Sequence, residues 1–556
     1  MMQVYCKNTN TYKKFPEGST LEQMLPEFEF DRPYPIVSAK VNNVSQGLRF
    51  RLYHNKDIEF LDVRDPSGMR VYTRSLYFLL YKAAIEVFPG CEVYVEHSIS
   101  HGYFCHVHKA DKSDLSIEDV ERISARMQEI VDQNVPFHRY EVHTDKAIKI
   151  FKDAGYEDKV KLLETSDEVY TDYYTLGDTV DYYYGRLVPT AGYLTKWAIQ
   201  HFHNGILLRV PSRSNPDELA PFCDQPKTFE MFNESLQWNI IQRLGNVGDV
   251  NRAILEGQAS ELIQVAEALQ EKKIVQIAEE INRRAKAENP VKVVLITGPS
   301  SSGKTTFCKR LSIQLKACGL LPKSMSTDDY FVNRTDTPKL PDGSYDFDNF
   351  DTVDHAKMQE DIIAMLNGED VQVPEYNFVT GLREYKGKHI RLVPGSILLV
   401  EGIHALNPGL TDKIADNAKY KIFINTLTST SLDNHNCIPT SDNRLLRRIV
   451  RDYNKGAFSA RESIMQWPNV RQAEHDWIYP YQETADVMFN SAYLIEFAVL
   501  RNHAVPILAS VPKNCPEYSE AHRLLKFIHY FTPVPDQEIP PTSLLREFLG
   551  GSSFKY

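Results

Sequence analysis

The chain has 556 residues, too many for one ordinary domain; at roughly 150 residues per domain it suggests three or four. Its 42% hydrophobic and 25% charged content is that of soluble globular proteins, and a formal net charge of −11 argues against nonspecific binding to nucleic acid or anionic membranes while leaving room for a local basic face. No apolar run approaches the ~18 residues of a spanning helix, the start at Met1 has no basic segment followed by an apolar run, and the eight cysteines contain no Cys-x-x-Cys pair, so a cytoplasmic protein with reduced thiols and no membrane partner is expected.

Residues 1–64 read as short strands and turns. Val4–Cys6 is one strand, Gly18–Leu21 turns into a short helix with Ser19 or Thr20 as its cap, and Ile36–Asn43 is a strand ending in turn residues. From 65 to about 230 the pattern changes. A helix is expected over Ser75–Phe88, stopped by Pro89-Gly90, then a hairpin from Cys91–Val95 and Gly102–Val107. An amphipathic helix follows over Ser116–Val131, with Ile117, Val120, Ile123, Met127, Ile130 and Val131 at helical spacing and Ser116 with Asp119 as a capping pair. Residues 231–289 are expected to be a helical connector, and Asn289-Pro290 marks the main boundary before a final unit over 290–556.

The chemistry is carried by Gly298-Pro299-Ser300-Ser301-Ser302-Gly303-Lys304-Thr305, a Walker A pattern. Val293–Ile296 reads as a buried strand just before it and Phe307–Lys316 as a helix just after, the context a phosphate loop requires. The glycines let backbone N–H groups, including those of Ser300, Ser301, Ser302 and Thr306, face phosphate oxygens at a helix N-terminus. Lys304 is placed for the β- and γ-phosphates and Thr305 for Mg²⁺, so ATP and Mg²⁺ are the expected cofactors. A second strand from Lys323 ends in Asp328 and Asp329. Asp328 is the candidate to accept a proton from an alcohol acceptor, with Asp329 as its rival. A third strand, Ser396–Val400, leads to Glu401, placed to hold Mg²⁺, and to His404, read as structural. Guanine signatures such as Asn-Lys-x-Asp are absent. Arg444, Arg447, Arg448 and Arg451 fall largely on one helical face within 442–455, a face that suits transferring phosphates and a closing lid.

With these residues in place, the segment from 291 to about 512 resembles the uridine kinase family of nucleoside kinases. Asp328-Asp329-Tyr330-Phe331 is similar to the family's Asp-Ser-Tyr/Phe-Tyr segment, which implies Asp328 as catalytic base. Phe347–Asp354 is similar to the segment whose first acid, here Asp348, holds the ribose hydroxyls. Pro374–Phe378 resembles the segment whose aromatics, here Tyr376 and Phe378, cradle the base. The resemblance implies that Arg444 contacts the nucleoside, that Arg447 assists catalysis, and that Arg448 and Arg451 bind phosphates. Two departures stand out: Gly381 occupies the position of the family's base-reading His, and Gly456 is followed by Ala457-Phe458 rather than the final lid Arg. Glu401-Gly402-Ile403-His404 also resembles a phosphoribulokinase stretch, keeping a sugar-phosphate kinase as an alternative.

The first half carries its own resemblances. Residues 1–64 resemble the β-grasp-like TGS module. Residues 65 to about 215 resemble the editing-type α+β domain of threonyl-tRNA synthetases through the helix at 116–131 and Val180–Pro189. The family's four site groups fall on Arg74, Phe78, Tyr183 and Leu187, so no editing hydrolysis is expected. Three readings of this half remain open: support for a nucleoside kinase, an RNA-binding or nucleotide-sensing module, or the core of a homo-oligomer. His97, His101, Cys105, His106 and His108 cluster within 12 residues, with His106 and His108 on one strand face. They read as a polar hairpin, with a transition-metal site as the alternative.

Overall fold

The computed structural model describes residues 1–341 and 343–555. In the first unit, β1 (Met2–Cys6) turns its alternate residues Met2, Val4 and Cys6 inward, and β2 (Thr11–Phe15) pairs with it antiparallel. Helix α1 (Leu21–Met24) is capped reciprocally by Thr20 and Gln23, one of the two caps expected. Strands β3 (Ser38–Val41), β4 (Val44–Gln46) and β5 (Lys56–Leu61) complete a mixed sheet in the order β2-β1-β5-β3-β4, with β1 and β5 parallel. This is a β-grasp-like unit.

Helix α2 (Pro66–Val87) begins nine residues before the expected start at Ser75. Asp65 caps it and Pro66 takes its first position, where a missing N–H costs nothing. It is buried on nearly every side, which erases the amphipathic period that would have revealed its first turns. The expected hairpin is β6 (Glu92–Ile99) with β7 (Gly102–His108), and α3 (Ile117–Asp132) has the Ser116–Asp119 capping box; Ile117, however, faces solvent. After β8 (Phe137–His143), α4 (Thr144–Asp153) and α5 (Glu157–Glu164) come β9 (Tyr170–Leu176), β10 (Thr179–Asp181), β11 (Ala198–Phe202) and β12 (Gly205–Arg209). They form two antiparallel sheets, β10-β9-β8 and β11-β12-β7-β6.

Helices α6 (Pro226–Gln242), α7 (Val247–Leu255) and α8 (Ala259–Ala285) fill the segment expected to be a connector. Connection is only part of their role: Ile274, Ile277 and Ile281 of α8 pack on the next sheet. That sheet is fully parallel, in the order β14-β19-β13-β20-β21, from β13 (Val293–Thr297), β14 (Leu321–Ser326), β19 (Ser396–Glu401), β20 (Lys419–Asn425) and β21 (Val487–Asn490). The remaining elements here are α9 (Lys304–Ala317), α10 (His355–Leu366) and the short strands β15 (Val371–Gln372), β16 (Glu375–Asn377), β17 (Leu382–Glu384) and β18 (His389–Ile390). Strand β13 is apolar from Val293 to Ile296 because both faces are covered: Val294 and Ile296 meet α8 and α9, Val293 and Leu295 meet the α10 side. Helices α11 (Thr440–Asn454), α12 (Ala460–Trp477), α13 (Glu496–Ala509), α14 (Tyr518–Ile528) and α15 (Arg546–Leu549) close the chain. The architecture is α/β, as expected. Among the described residues no helix is long and apolar enough to cross a membrane.

Candidate active site

The loop after β13 turns into α9 through Gly303, whose φ of +85° suits only a residue without a side chain. Lys304 is half-buried, and its Nζ donates to the carbonyls of Gly298 (2.9 Å) and Pro299 (3.0 Å). Burial pulls its pKa down, while Glu401 and Asp328 pull the other way. The Ser301 and Ser302 side chains are buried, and the Ser302 N–H donates to the Pro299 carbonyl at 3.3 Å. Thr306 is already engaged: its N–H (3.3 Å) and hydroxyl (2.6 Å) both donate to Glu547 of α15.

The acids converge at the C-terminal ends of adjacent strands. Thr305 Oγ1 donates to Glu401 at 3.3 Å. Burial, then the nearby Asp328, push the Glu401 carboxyl up to about 7. A half-buried carboxyl raised by desolvation and a negative neighbour, with a hydroxyl beside it, is an oxygen-donor pair that fits Mg²⁺. Asp328 and Asp329 are separated by geometry. Asp328 lies in the field of Lys304 and Arg451, with its carboxyl raised by burial. Asp329 turns away toward Lys388, 3.9 Å distant. Of the two, Asp328 is the carboxylate that lies beside the phosphate loop.

The arginine helix departs from expectation. Leu445, Leu446, Ile449 and Val450 bury α11 in the core, so it is no lid. Arg444 and Arg447 are both 0% exposed. Arg444 pairs with Glu474 (2.8 Å for one of its two bonds) and donates to the Ser300 carbonyl at 3.1 Å. Arg447 pairs with Glu496 (2.7 Å) and donates to the Ser301 carbonyl (3.3 Å) and to Ser491. Their guanidinium groups hold the phosphate loop from behind, so the expected nucleoside contact of Arg444 and catalytic contact of Arg447 are corrected. The physical reason is burial: both guanidinium groups lie in the core against two buried glutamates and the loop carbonyls, with Arg444 Nε left without a partner among the described residues. Arg448 donates to Ser300 Oγ at 3.1 Å and lies in the field of Asp348; Arg451 pairs with Asp452 at 2.8 Å and acts on Asp328.

An aromatic group stands on the β16–β17 hairpin. Tyr376 and Phe378 have ring centroids 5.0 Å apart, and Phe331 completes the trio at 5.5 Å from Tyr376. Burial pushes the Asp348 carboxyl up to about 6, Arg448 opposing and Glu474 reinforcing the shift. Gly381 has no room for another residue. A Cβ there would lie 2.8 Å from Arg334 Nε, and the Arg334 N–H donates to the Gly381 carbonyl at 2.8 Å. Arg334 thus crosses the position of the missing His. Its Nε is buried without a hydrogen-bond partner among the described residues. Sequence reasoning missed Arg334, Glu474, Glu496 and Glu547, because no local motif ties them to the loop.

In the first half, Phe78, Tyr183 and Leu187 share one buried cluster, with the Phe78 and Tyr183 rings 5.5 Å apart. Arg74 fills the space over Gly185, where a Cβ would come within 2.1 Å of its guanidinium. The four positions do come together, as a packed plug. On the hairpin, His97 is buried and stacked on Phe232 at 3.5 Å, while His106 sits between Glu96 (3.1 Å) and Asn204 (3.2 Å). Among the described residues no three metal-ligating side chains gather at one point.

A parallel sheet with a Walker loop on its first strand, and carboxylates at the ends of the next two, defines a P-loop kinase. Residues 293–495 match the model of the phosphoribulokinase / uridine kinase family. The uridine kinase of Mycoplasma genitalium is 30% identical over 178 residues, 32% of this chain and 74% of that protein. The chain belongs to the phosphoribulokinase / uridine kinase family. Its N-terminal region matches threonine–tRNA ligases: that of Fusobacterium nucleatum is 28% identical over 166 residues, 30% of this chain and 26% of the ligase, and that of Syntrophotalea carbinolica 27% over 216 residues, 37% and 34%. The chain thus spans about a quarter to a third of the length of these ligases. Solved structures similar in part include a possible uridine kinase from Bacillus stearothermophilus (17% identity, TM-score 0.28, 39% of this chain and 98% of that one). Another is D-glycerate 3-kinase from Cryptococcus neoformans (15%, 0.27, 40% and 89%).

Proposed function

We propose that the chain transfers the γ-phosphoryl group of ATP to the 5′-hydroxyl of a nucleoside in the cytoplasm. The observation that carries this is the convergence of Lys304, Asp328 and Glu401 at one end of the parallel sheet, with Asp348 in the field of Asp328 and the Tyr376–Phe378 pair on the segment packed against Asp328–Tyr330. In this reading the loop amides and Lys304 hold the β- and γ-phosphates, with Arg448 and Arg451 beside them. Asp348 in its ionised form accepts hydrogen bonds from the acceptor's sugar hydroxyls, and the aromatic trio stacks the base. Asp328 accepts the proton of the attacking hydroxyl as its oxygen bonds to phosphorus and the bond to the ADP oxygen breaks. Thr305 and Glu401 would hold Mg²⁺, which supplies charge neutralisation when bound.

Uridine or cytidine is the leading acceptor class, with Arg334 in place of the His to donate to a base carbonyl. Arg334 also favours a second reading, a sugar-phosphate acceptor, since a guanidinium matches phosphate oxygens. One assay separates them: ADP release with Mg²⁺–ATP and a panel of nucleosides plus ribulose 5-phosphate. Lys304→Ala should abolish turnover; turnover unchanged in that variant would displace the active site from this loop. The N-terminal half is proposed to bind RNA or a nucleotide, supported by its likeness to threonine–tRNA ligases. Full-length protein should then show RNA binding that weakens with salt; no binding at low salt would remove that reading and leave the homo-oligomer, which light scattering tests.

A further inference from the structure

A cavity of about 130 Å³ lies between α6, α8 and the end of β21. Helix α6 turns Ser235 and Trp238 toward it, and α8 turns Ala266 and Gln270, each pair three or four residues apart and so on one helical face. Its walls carry hydrogen-bonding groups without net charge. At its edge Glu234 and Lys273 neutralise each other at 2.8 Å. Gln270 is 6% exposed and Asn443 1% exposed. Gln270 Oε1, Asn443 Oδ1 and Thr428 Oγ1 are buried without a hydrogen-bond partner among the described residues. Leaving such atoms unsatisfied costs about 1–3 kcal/mol each. Those three oxygens have no accessible surface of their own; what the cavity presents to an occupant is the Trp238 indole and the uncharged amides and hydroxyl of Ser235, Asn239 and Gln242, a lining that suits a molecule flat on one side and hydrogen-bonding on the other. An engineered cavity of ~150 Å³ accepts a benzene ring, so this one has room for a single planar ring.

The cavity is connected to the phosphate loop. Asn443 Nδ2 donates to Glu496 at 3.2 Å, and Glu496 is the buried partner of Arg447. Gln270 Nε2 donates to the Ser491 carbonyl at 3.4 Å, and that carbonyl also accepts from Arg447 at 2.9 Å. Both amides therefore touch the residues that fix Arg447, and Arg447 donates to the Ser301 carbonyl of the loop at 3.3 Å. An occupant that reorients either amide changes what holds the loop from behind.

We infer that this cavity is an effector site for an uncharged planar nitrogen heterocycle of nucleobase size, whose occupancy is felt at the phosphate loop. The test is calorimetric titration of the full chain with uracil, cytosine and adenine, without ATP, so that its outcome does not depend on the kinase assignment. Two variants close the site: Gln270→Leu, nearly isosteric, and Ala266→Phe, which fills the space; circular dichroism verifies their fold. Tyr376→Ala controls for binding at the proposed acceptor site. The expected result is binding of at least one base to the wild type and to Tyr376→Ala, weakened by about tenfold or more in Gln270→Leu and in Ala266→Phe. The same base should shift the dissociation constant of ATP in the wild type and leave it unmoved in Ala266→Phe. No binding by any base, binding undiminished in Gln270→Leu, or binding lost in Tyr376→Ala alone would each overturn the inference.

Discussion

Glu547 places an anionic group on donors that an anion-binding loop needs. Thr306 stands in the first turn of α9, where the backbone N–H has no partner within the helix, and Glu547 accepts from both that N–H and the Thr306 hydroxyl. The carboxylate also adds to the negative field at Lys304 and Glu401. For a nucleotide phosphate to take the Thr306 N–H, the carboxylate must leave. Hydrogen bonds involving a charged group contribute about 1.5–3 kcal/mol. Because Glu547 is only half-buried, solvent screening places the cost at the lower end, ~1.5 kcal/mol, or about tenfold in affinity. Glu547→Gln and Glu547→Ala should therefore bind ATP about tenfold more tightly than wild type. The difference should shrink as salt is raised, since part of it is charge repulsion. The docking of α15 should survive, because Phe548 and Leu549 are buried and Asn454 donates to the Phe548 carbonyl at 3.0 Å. Calorimetric titration with a non-hydrolysable ATP analogue reads the effect. Unchanged or weaker binding in both variants would refute the reasoning and make Glu547 a supporting contact of the bound state.

Three further outcomes follow from the site. Asp348 has its carboxyl raised to about 6, so it is ionised at neutral pH and neutral in acid. The acceptor KM should rise as pH falls through 6, about tenfold per unit below it, and Asp348→Asn should give a high, flat profile; because a raised folded pKa makes this group's stabilising contribution fade as pH rises through 6, the same variant should melt higher than wild type at neutral pH. Arg334→Ala should raise the acceptor KM by about 10–100-fold, the loss of one or two charge-assisted hydrogen bonds, with ATP affinity unmoved; Gly381→His should lower the melting temperature with or without Arg334→Ala, because a φ of +72° strains any side chain there and the Arg334 Cβ, which alanine keeps, lies 2.8 Å from the new Cβ. Arg447→Met should cost about 3–5 kcal/mol of stability by stranding Glu496 in the core, with Arg447→Met/Glu496→Leu recovering part of it in a denaturant titration; a loss of kcat with stability intact would return Arg447 to the phosphates.

The phosphate loop, its strand and the carboxylates at Asp328 and Glu401 were legible because each is a local pattern: a run of four apolar residues, a spaced pair of glycines, an acid where a strand stops. The arginines of α11 were half legible. Their spacing says that they share a face, but periodicity does not say whether that face meets water. Here it meets Glu474, Glu496 and the carbonyls of Ser300 and Ser301, which a charged face can do only with long-range partners in place. Glu547 follows Thr306 by 241 residues and carries no motif, so nothing in the sequence ties it to the loop. The first turns of α2 stayed hidden for a different reason: a helix buried on nearly every side has no polar stripe to betray its period.

The same long-range logic bears on why the two halves share one chain. The segment between β20 and α11 runs into the first half. Val95 N–H donates to the Asn434 carbonyl at 2.7 Å, and Asn434 N–H donates to Asp158 at 2.9 Å. Lys159, 1% exposed, sits among Asp158 (3.4 Å), Asp181 (3.2 Å) and Asp433 (3.3 Å), with His435 against Asp181 at 2.8 Å. Three carboxylates keep the lysine charged despite its burial, and the lysine and His435 hold Asp181 down to about 2. Such a cluster contributes little net stability when complete, but losing one member strands the others in a dry interior. It therefore fixes geometry more than it stabilises. What it fixes is the entry to α11, five residues from His435 to Thr440, and α11 carries the arginines that back the phosphate loop. The first half thus braces the kinase site through this loop, and a movement there would reach Ser300 and Ser301 through a single helix.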